Sequence, residues 1–450
     1  MNKFDLIIIG GGAAGIAAAI KADEFGVKTA IINAGLPIGG TCVNVGCVPT
    51  KFLLEVCRIN HLTKNPRFDS IKHIDVNLDF QEVMKEKDEL VLALRKRNYE
   101  DLLSKLTNIK YVDGYAKFIS ERQIEVNGRI LESDKFIIAT GSSPKILPIP
   151  GLKEAGFITN REALELKELP ETLLIIGGGP IGLEFAQIFS RLGSKVILVE
   201  LMDRILPQAE PVISEELKIH LQKEFEIYTN TKTKSIEIKN GKKIINIEIN
   251  GNIEKIEVDE ILLATGVVGN TNNLGLEKVG VGTDKNGFIK VDEELKTSKK
   301  YIFAVGDVKG APWLETVAAK EGNIACQNLL EKTHKKINYS VIPYAVFTSP
   351  QVASVGLKEE EYMKQYGTCK CSLIRMDNVP KGLAIKDTRG LIFMVIHHET
   401  KKIMGVHIVA PNASEIIHEA TLAVKYSLSV DDIIDTVHIF PTFSESIKIV

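Results

Sequence analysis

The chain has 450 residues, of which 44% are hydrophobic and 25% are charged, and its formal net charge is −2. This length is too great for one simple core and indicates about three domains. The near-neutral charge gives no electrostatic reason to expect nucleic acid or an anionic membrane as a partner. Six cysteines are too few for a disulfide scaffold, the apolar stretches are interrupted by glycine, and no signal peptide precedes the first strand. We therefore expect a soluble, cytoplasmic enzyme.

The first predicted unit, residues 4–33, has the order strand, glycine turn, helix, strand. Residues 4–9 are apolar except for Asp5, as in a strand that is buried in a parallel sheet. Gly10, Gly12 and Gly15 then form a GxGxxG turn, which allows a pyrophosphate to approach the N-terminus of the following helix. The context of strand, turn and helix predicts a dinucleotide site.

The next stretch, residues 39–51, reads GGTCVNVGCVPTK and holds two cysteines five residues apart. Pro49 predicts the start of a helix, so Cys47 would lie at a helix N-terminus, where the backbone dipole favours a thiolate. A stapling disulfide and two buried thiols are the alternatives. A structural disulfide between these cysteines would close a loop that is too short to stabilise the fold much. The flanking glycines favour a cofactor that lies against the backbone.

Residues 81–106 carry apolar side chains at helical spacing among charged ones, which predicts a long surface helix that includes Tyr99. Short strands are predicted over residues 109–140. Two prolines in residues 145–151 indicate a domain hinge.

The glycine turn recurs at Gly177, Gly179 and Gly182, again between an apolar strand and a helix. Two further apolar strands end in the same Ala-Thr-Gly sequence, at Gly141 and Gly266. Duplicated nucleotide-binding halves predict that two dinucleotides bind one chain.

The two halves differ at the residue expected beside the ribose hydroxyls. Asn33 and Glu200 each lie eighteen residues after the last glycine of their turn. A carboxylate at Glu200 accepts from a 2′-hydroxyl and repels a 2′-phosphate, which favours NADH over NADPH. The amide of Asn33 can still form a hydrogen bond with a ribose hydroxyl.

The stretch GGTCVNVGCVPTK resembles the redox-active disulfide of the flavin-dependent pyridine nucleotide–disulfide oxidoreductases. The resemblance implies FAD and NAD(P)H as cofactors. It also implies an α/β fold with two Rossmann-like domains of the glutathione reductase type and an α+β C-terminal dimerisation domain. A homodimer is expected, with the C-terminal segment contributed in trans. The expected boundaries are 1–145 and 263–337 for FAD binding, 146–262 for NAD(P)H binding and 338–450 for dimerisation.

The resemblance assigns roles to residues at matching positions. It makes Cys47 the charge-transfer thiolate beside the flavin and Cys42 the outer, interchange thiol. Lys51 and Glu184 match a pair beside the flavin's reactive face, and Glu445 would act in the partner subunit's site. The residues expected to bind FAD are Gly10, Gly12, Gly15, Asn33, Gly35, Gly40, Thr41, Lys51, Ala116, Gly141, Asp307 and Glu315. Those expected to bind NAD(P)H are Gly177, Gly179, Gly182, Glu200 and Gly266.

The C-terminal motif indicates whether the substrate is a disulfide. Disulfide-reducing members of the family carry His-Pro-Thr-x-x-Glu, whose histidine protonates a departing thiolate. Here the proline, threonine and glutamate align, but the histidine is Phe440. Phenylalanine transfers no proton, and general acid catalysis contributes about 10²–10⁴ in rate. His438 is the alternative donor if the register slips.

Three local matches resemble mercuric reductases: residues 376–390, the dipeptide Phe440-Pro441, and Tyr99, which matches a tyrosine beside the metal. Tyr99 is alternatively a half-buried helix residue. Hg²⁺ is soft and prefers thiolates, so reduced Cys42 and Cys47 would bind it as substrate.

Several positions depart from the mercuric reductase pattern. The C-terminus lacks that family's vicinal cysteine pair, and the first strand begins too early for an N-terminal metal-carrying domain. Thr442 replaces a second metal-side tyrosine, and Val267 and Gly269 replace an arginine and a proline.

Three functions follow from these matches. We expect an NADH-dependent mercuric reductase, with a reductase of a small disulfide, quinone or other oxidant as the alternative. A non-catalytic flavoprotein sensor is the third hypothesis. The Cys369-Lys370-Cys371 pair indicates packing rather than metal binding, and Cys57 and Cys326 are predicted core residues.

Overall fold

The computed structural model describes residues 3–76 and 78–450. The chain forms two compact units. The first comprises the described residues up to Thr50, Lys85–Lys145 and Gly266–Ile337, and the second comprises the described residues of Lys51–Met84, Ile146–Thr265 and Asn338–Val450. Within the described residues, no helix has the length and apolar character needed to cross a bilayer.

The first unit is built on a five-stranded parallel sheet whose central strand, Leu6–Ile9, is buried along its whole length. A strand that is covered on both faces has to be apolar throughout, which explains its sequence LIII. In spatial order the strands are Ile302–Ala304, Phe136–Ile138, Leu6–Ile9, Thr29–Asn33 and Ile109–Asp113.

Two helices of the first unit pack closely together, Ala13–Glu24 and Glu315–Glu331. A Cβ atom on Gly322 would lie 2.0 Å from the carbonyl oxygen of Ala14, so only glycine allows this approach. The unit also holds the helices Gly40–Val45, Asp101–Leu103, Leu276–Val279 and Gly306–Lys309. Its antiparallel strands are Ala116–Ser120, Gln123–Val126 and Arg129–Glu132 in one sheet, and Ser142–Pro144 with Val267–Gly269 in another.

The second unit contains a four-stranded parallel sheet that repeats this plan. Its order is Glu226–Tyr228, Lys195–Val199, Thr172–Ile176 and Glu260–Leu263. A three-stranded antiparallel sheet shares one apolar core with it and consists of Thr231–Lys239, Lys242–Ile249 and Asn252–Val258. The accompanying helices are Leu152–Ala155, Asn160–Ala163, Pro180–Leu192 and Pro211–Leu221.

The C-terminal part of the second unit is an α+β domain around a five-stranded antiparallel sheet. Its order is Tyr344–Val346, Gln351–Gly356, Ile403–Ala410, Leu391–Ile396 and Lys370–Arg375. The helices are Tyr339–Val341, Glu359–Tyr366, Met376–Asn378, Pro380–Ala384, Ala413–Tyr426, Val430–Asp435 and Glu445–Ile449. Two dinucleotide-binding folds and this domain confirm the predicted fold class.

Three local predictions need correction. The helix after the cysteines, Cys47–Lys64, begins two residues before Pro49. The single helix predicted over 81–106 is instead Phe80–Arg95, a π-helical turn over Lys96–Glu100, and Asp101–Leu103. Cys369 and Cys371, predicted as a packing pair, are joined by a disulfide. Cys57 and Cys326 are fully buried, which confirms them as core residues.

Candidate active site

The two cysteines lie on two helices that follow each other directly in the chain. Cys42 is in the helix Gly40–Val45, and Cys47 is the first residue of the helix Cys47–Lys64. The two sulfurs are not joined by a disulfide in this structure, and Cys42 is half-buried whereas Cys47 is exposed. A hydrogen bond between the two sulfurs, together with burial, raises the pKa of Cys42 well above its usual range. The thiol of Cys42 is therefore protonated at physiological pH.

The dithiol segment is fixed to the first glycine turn. The amide of Gly39 donates to the carbonyl oxygen of Gly11, at 2.8 Å. Gly39 and Gly40 have φ values of +94° and +63°, and a Cβ on Gly40 would lie 2.8 Å from Cα of Gly12. Glycine is required here because the backbone is left-handed and touches the turn. This contact places the cysteines beside the dinucleotide-binding turn.

Tyr99 and Glu315 lie beside the cysteines. The Tyr99 ring, carried by the π-helical turn, packs on Gly39, where a Cβ would lie 3.0 Å from two ring carbons. Burial raises the pKa of Tyr99 to about 12, with smaller electrostatic contributions from Cys42, Glu315 and Cys47. The phenol therefore stays protonated at physiological pH. Four residues predicted from separate stretches of sequence thus meet at one place.

Lys51 and Glu184 form an ion pair within the second unit. Nζ of Lys51 donates to Oε2 of Glu184 at 2.8 Å and lies 4.6 Å from the centre of the Phe347 ring. Glu184 is 4% exposed, and its other oxygen accepts from the amide of Phe347 at 2.9 Å. Both carboxylate oxygens have partners, so the position of the lysine ammonium is well determined. Sequence reasoning missed Phe347 because a backbone amide carries no sequence signal.

The two glycine turns are held in the same way. In the first, the amide of Gly11 donates to Oδ1 of Asn33 at 3.1 Å. In the second, the amide of Gly178 donates to Oε2 of Glu200 at 2.6 Å. Each acceptor is 22 residues after its donor, so Asn33 and Glu200 occupy equivalent positions. The two residues predicted to contact the ribose hydroxyls, Asn33 and Glu200, therefore lie at corresponding positions of the two turns.

These turns fit a pyrophosphate. Gly12 and Gly179 precede the helices Ala13–Glu24 and Pro180–Leu192, and neither helix start has a side-chain cap. Uncapped amides at a helix N-terminus bind anions. A Cβ on Gly15 or Gly182 would lie 1.9 Å from the carbonyl oxygen of the first glycine of its own turn. Each helix thus approaches its strand as closely as a dinucleotide fold requires.

Asp307 follows the strand Ile302–Ala304, in the turn Gly306–Lys309. Its carboxylate accepts from the Ser142 hydroxyl at 2.9 Å, and burial raises its pKa. Beneath this turn, Lys309 and Glu321 form an ion pair at 3.0 Å, and their side chains are 7% and 1% exposed. Glu321 also accepts from the amide of Gly306 at 2.7 Å. Sequence reasoning missed this pair, because neither stretch of sequence by itself shows that its charged residue is buried.

The remaining predicted cofactor residues lie in turns or at element ends. Thr41 is in the helix Gly40–Val45, and Ala116 begins the strand Ala116–Ser120. Gly35, Gly141 and Gly266 have φ values of +79°, +72° and +92°, and turns with such values require glycine.

The C-terminal motif presents an apolar, exposed segment. Phe440 is 67% exposed and Ile439 is 80% exposed. The ring of His438 has Glu419 Oε1 at 2.7 Å and the carbonyl oxygen of Thr436 at 2.9 Å, and its side chain is 6% exposed. Oε2 of Glu445 is buried and has no hydrogen-bond partner among the described residues. His438 is therefore held in place by two hydrogen-bond partners.

The model of the pyridine nucleotide-disulphide oxidoreductase family matches residues 4–322, and the model of that family's dimerisation domain matches residues 342–450. The chain belongs to this family. It is therefore an oxidoreductase, and the family supports the use of flavin and a pyridine nucleotide.

Individual relatives differ in their substrates. A mercuric reductase of Lysinibacillus sphaericus is 39% identical over 449 residues, covering 100% of this chain and 82% of the relative. Dihydrolipoyl dehydrogenase 1 from Arabidopsis thaliana mitochondria is 36% identical, covering 99% and 89%. The HOCl-induced flavoprotein disulfide reductase RclA from Escherichia coli has a TM-score of 0.88 at 28% identity, covering 99% of both chains. The comparisons give the enzyme class and leave the acceptor open.

Proposed function

We propose that this oxidoreductase is an NADH-dependent mercuric reductase that reduces Hg²⁺ to Hg⁰ at Cys42 and Cys47. The supporting observation is the Cys42 and Cys47 pair beside the Tyr99 ring, in a chain that has Phe440 where disulfide reductases carry histidine. Thiolates are the preferred ligands of a soft cation, and its reduction needs no protonated leaving thiol. The hydrogen-bond contacts of the His438 ring with Glu419 and Thr436 hold it in place, which argues against His438 as the general acid in place of Phe440.

Each residue has a role in this proposal. Bound FAD would carry two electrons from the nicotinamide to the dithiol. Lys51, held by Glu184, would present a fixed positive charge to the flavin, and Asp307 would accept from its ribityl chain. Cys42 and Cys47 would bind Hg²⁺ as substrate, and the phenol of Tyr99 would border it. The carboxylate of Glu200, which accepts from the amide of Gly178 in the second turn, supports NADH rather than NADPH.

We further propose that the domains are 1–145 with 263–337 for FAD, 146–262 for NADH and 338–450 for dimerisation. The match of residues 342–450 to the family's dimerisation domain supports a homodimer. Glu445 would then act in the partner subunit's site, in keeping with its buried, unpartnered oxygen.

A reductase of a small disulfide is the second candidate. Glu445, which belongs to the motif of the disulfide reductases, is retained, and dihydrolipoyl dehydrogenases align along nearly the whole chain. This candidate requires a proton donor other than Phe440.

The two candidates are distinguished by NADH oxidation in the FAD-loaded protein with Hg²⁺ and excess small thiol, alongside lipoamide and oxidised glutathione. We expect mercury-dependent turnover with release of volatile metal, and its loss in Cys42→Ala and Cys47→Ala. Turnover with a disulfide alone would refute the mercury assignment. Flavin binding with no NADH turnover on any acceptor would instead indicate a sensor.

A further inference from the structure

A second group of sulfur ligands lies in the C-terminal domain. Cys371 is in the strand Lys370–Arg375, at the edge of the antiparallel sheet, and Cys369 directly precedes that strand. Glu359 begins the helix Glu359–Tyr366. The two sulfurs and one carboxylate oxygen of Glu359 all lie within 4.8 Å of one another.

The bond between Cys369 and Cys371 has no evident structural purpose. A disulfide stabilises mainly by restricting the unfolded chain, and this effect is small for a short loop. Here only Lys370 separates the two cysteines. The strand is already paired along its length with Leu391–Ile396. The pair is half-buried and so accessible to small molecules.

Reduction would change the chemistry of this group. Two thiolates would then lie beside the Glu359 carboxylate, and like-charge repulsion opposes such a group of three negative charges while a bound cation relieves it. Zinc–sulfur bonds of about 2.3 Å and zinc–oxygen bonds of about 2.0–2.2 Å allow ligand atoms at such separations to share one ion.

We propose that reduced Cys369 and Cys371, with Glu359, form a site for a thiophilic divalent cation, and that closure of the disulfide abolishes it. Reduction consumes two equivalents of a small thiol and gives two cysteine thiols and one oxidised thiol dimer. Binding of the cation then releases the two thiol protons. The site is independent of the acceptor that Cys42 and Cys47 reduce, and sulfur ligands favour Zn²⁺ or Hg²⁺ over Mg²⁺ or Ca²⁺.

The test uses the FAD-loaded full chain with Cys42→Ser and Cys47→Ser, so that the flavin-side thiols do not contribute. After reduction and anaerobic removal of reductant, Zn²⁺ binding is measured by competition with a chromogenic chelator. We expect one equivalent to bind, and none to bind after further Cys369→Ser and Cys371→Ser substitution or after disulfide formation. Ser372→Ala, on the same strand, is the matched control and should bind normally.

Glu359→Gln tests the carboxylate. Loss of an oxygen ligand should weaken Zn²⁺ binding by at least about tenfold. Hg²⁺, which two thiolates satisfy, should bind this variant normally. Unchanged Zn²⁺ binding after loss of both cysteines, or equal binding by the oxidised protein, would overturn the proposal. Unchanged Zn²⁺ affinity in Glu359→Gln would remove the carboxylate from the site.

Discussion

The reactivity of each sulfur in the candidate site depends on the charges beside it. The pKa of Cys42 is raised first by its hydrogen bond with Cys47, then by burial, and further by the carboxylate of Glu315. Glu315 also raises the pKa of Tyr99. One carboxylate therefore acts on both the dithiol and the phenol that borders it.

Replacing Glu315 with glutamine should make the reduced pair more reactive at lower pH. Loss of the negative charge lowers the pKa of Cys42, and the thiolate is the nucleophile, so the pH profile of alkylation by iodoacetamide should move to lower pH. Glu331→Gln, at the far end of the same helix, is the control. An unmoved profile would show that Glu315 does not act on the sulfurs.

Phe440 allows a direct test of the missing general acid. Phe440→His should raise the rate of lipoamide or glutathione disulfide reduction by about tenfold or more, because a general acid protonates the leaving thiolate. Phe440→Leu is the matched control and should give no gain. The rates are compared at saturating NADH. No gain with histidine would mean that proton transfer does not limit this reaction.

At the level of elements, each glycine turn requires its helix to touch the preceding backbone. Gly15 and Gly182 make this contact in the first and second units, with equal Cβ clearances of 1.9 Å. Because the two distances are equal, substitutions of Gly15 and Gly182 are matched, and they should affect different cofactors.

Gly15→Ala should lower the flavin content of the purified protein, because the added methyl group displaces the helix that binds the pyrophosphate. Gly182→Ala should retain flavin and raise KM for NADH by at least about tenfold. Flavin absorbance and steady-state kinetics measure the two effects. The two variants are controls for each other, and loss of flavin in Gly182→Ala would contradict the assignment of the two turns.

Features that are encoded locally in the sequence were predicted, whereas contacts between distant residues mostly were not. The family and fold class were predictable because glycine turns and apolar strands are local patterns with local causes. The ion pair of Lys51 and Glu184 spans 133 positions and was reached only through family resemblance. The pair of Lys309 and Glu321 was missed because burial of charge depends on surroundings that no single stretch encodes. Cys369 and Cys371 were predicted as a packing pair, and the sequence pattern revealed neither their disulfide nor the nearby Glu359.

For the whole molecule, the C-terminal segment indicates where a second subunit would bind. Val437, Ile439 and Phe440 are 93%, 80% and 67% exposed. Adjacent exposed apolar side chains mark interaction surfaces, and this segment lies in the family's dimerisation domain.

Ile439→Asp should therefore weaken the dimer, because a charge would be buried in the interface. Sedimentation velocity at several concentrations should show more monomer than in the unsubstituted protein. Ile238→Asp, at a site that is 59% exposed on the strand Thr231–Lys239, should leave the distribution unchanged. Equal distributions for both variants would place the interface elsewhere.

The unpartnered oxygen of Glu445 has a genetic consequence. If each site takes its glutamate from the neighbouring subunit, an allele that lacks Cys42 and an allele that lacks Glu445 are each inactive alone. Co-expressed, they would form mixed dimers in which one of the two sites has both groups. Random pairing in a twofold dimer would restore about a quarter of normal activity. Two defective copies of this gene would thus complement each other within one cell.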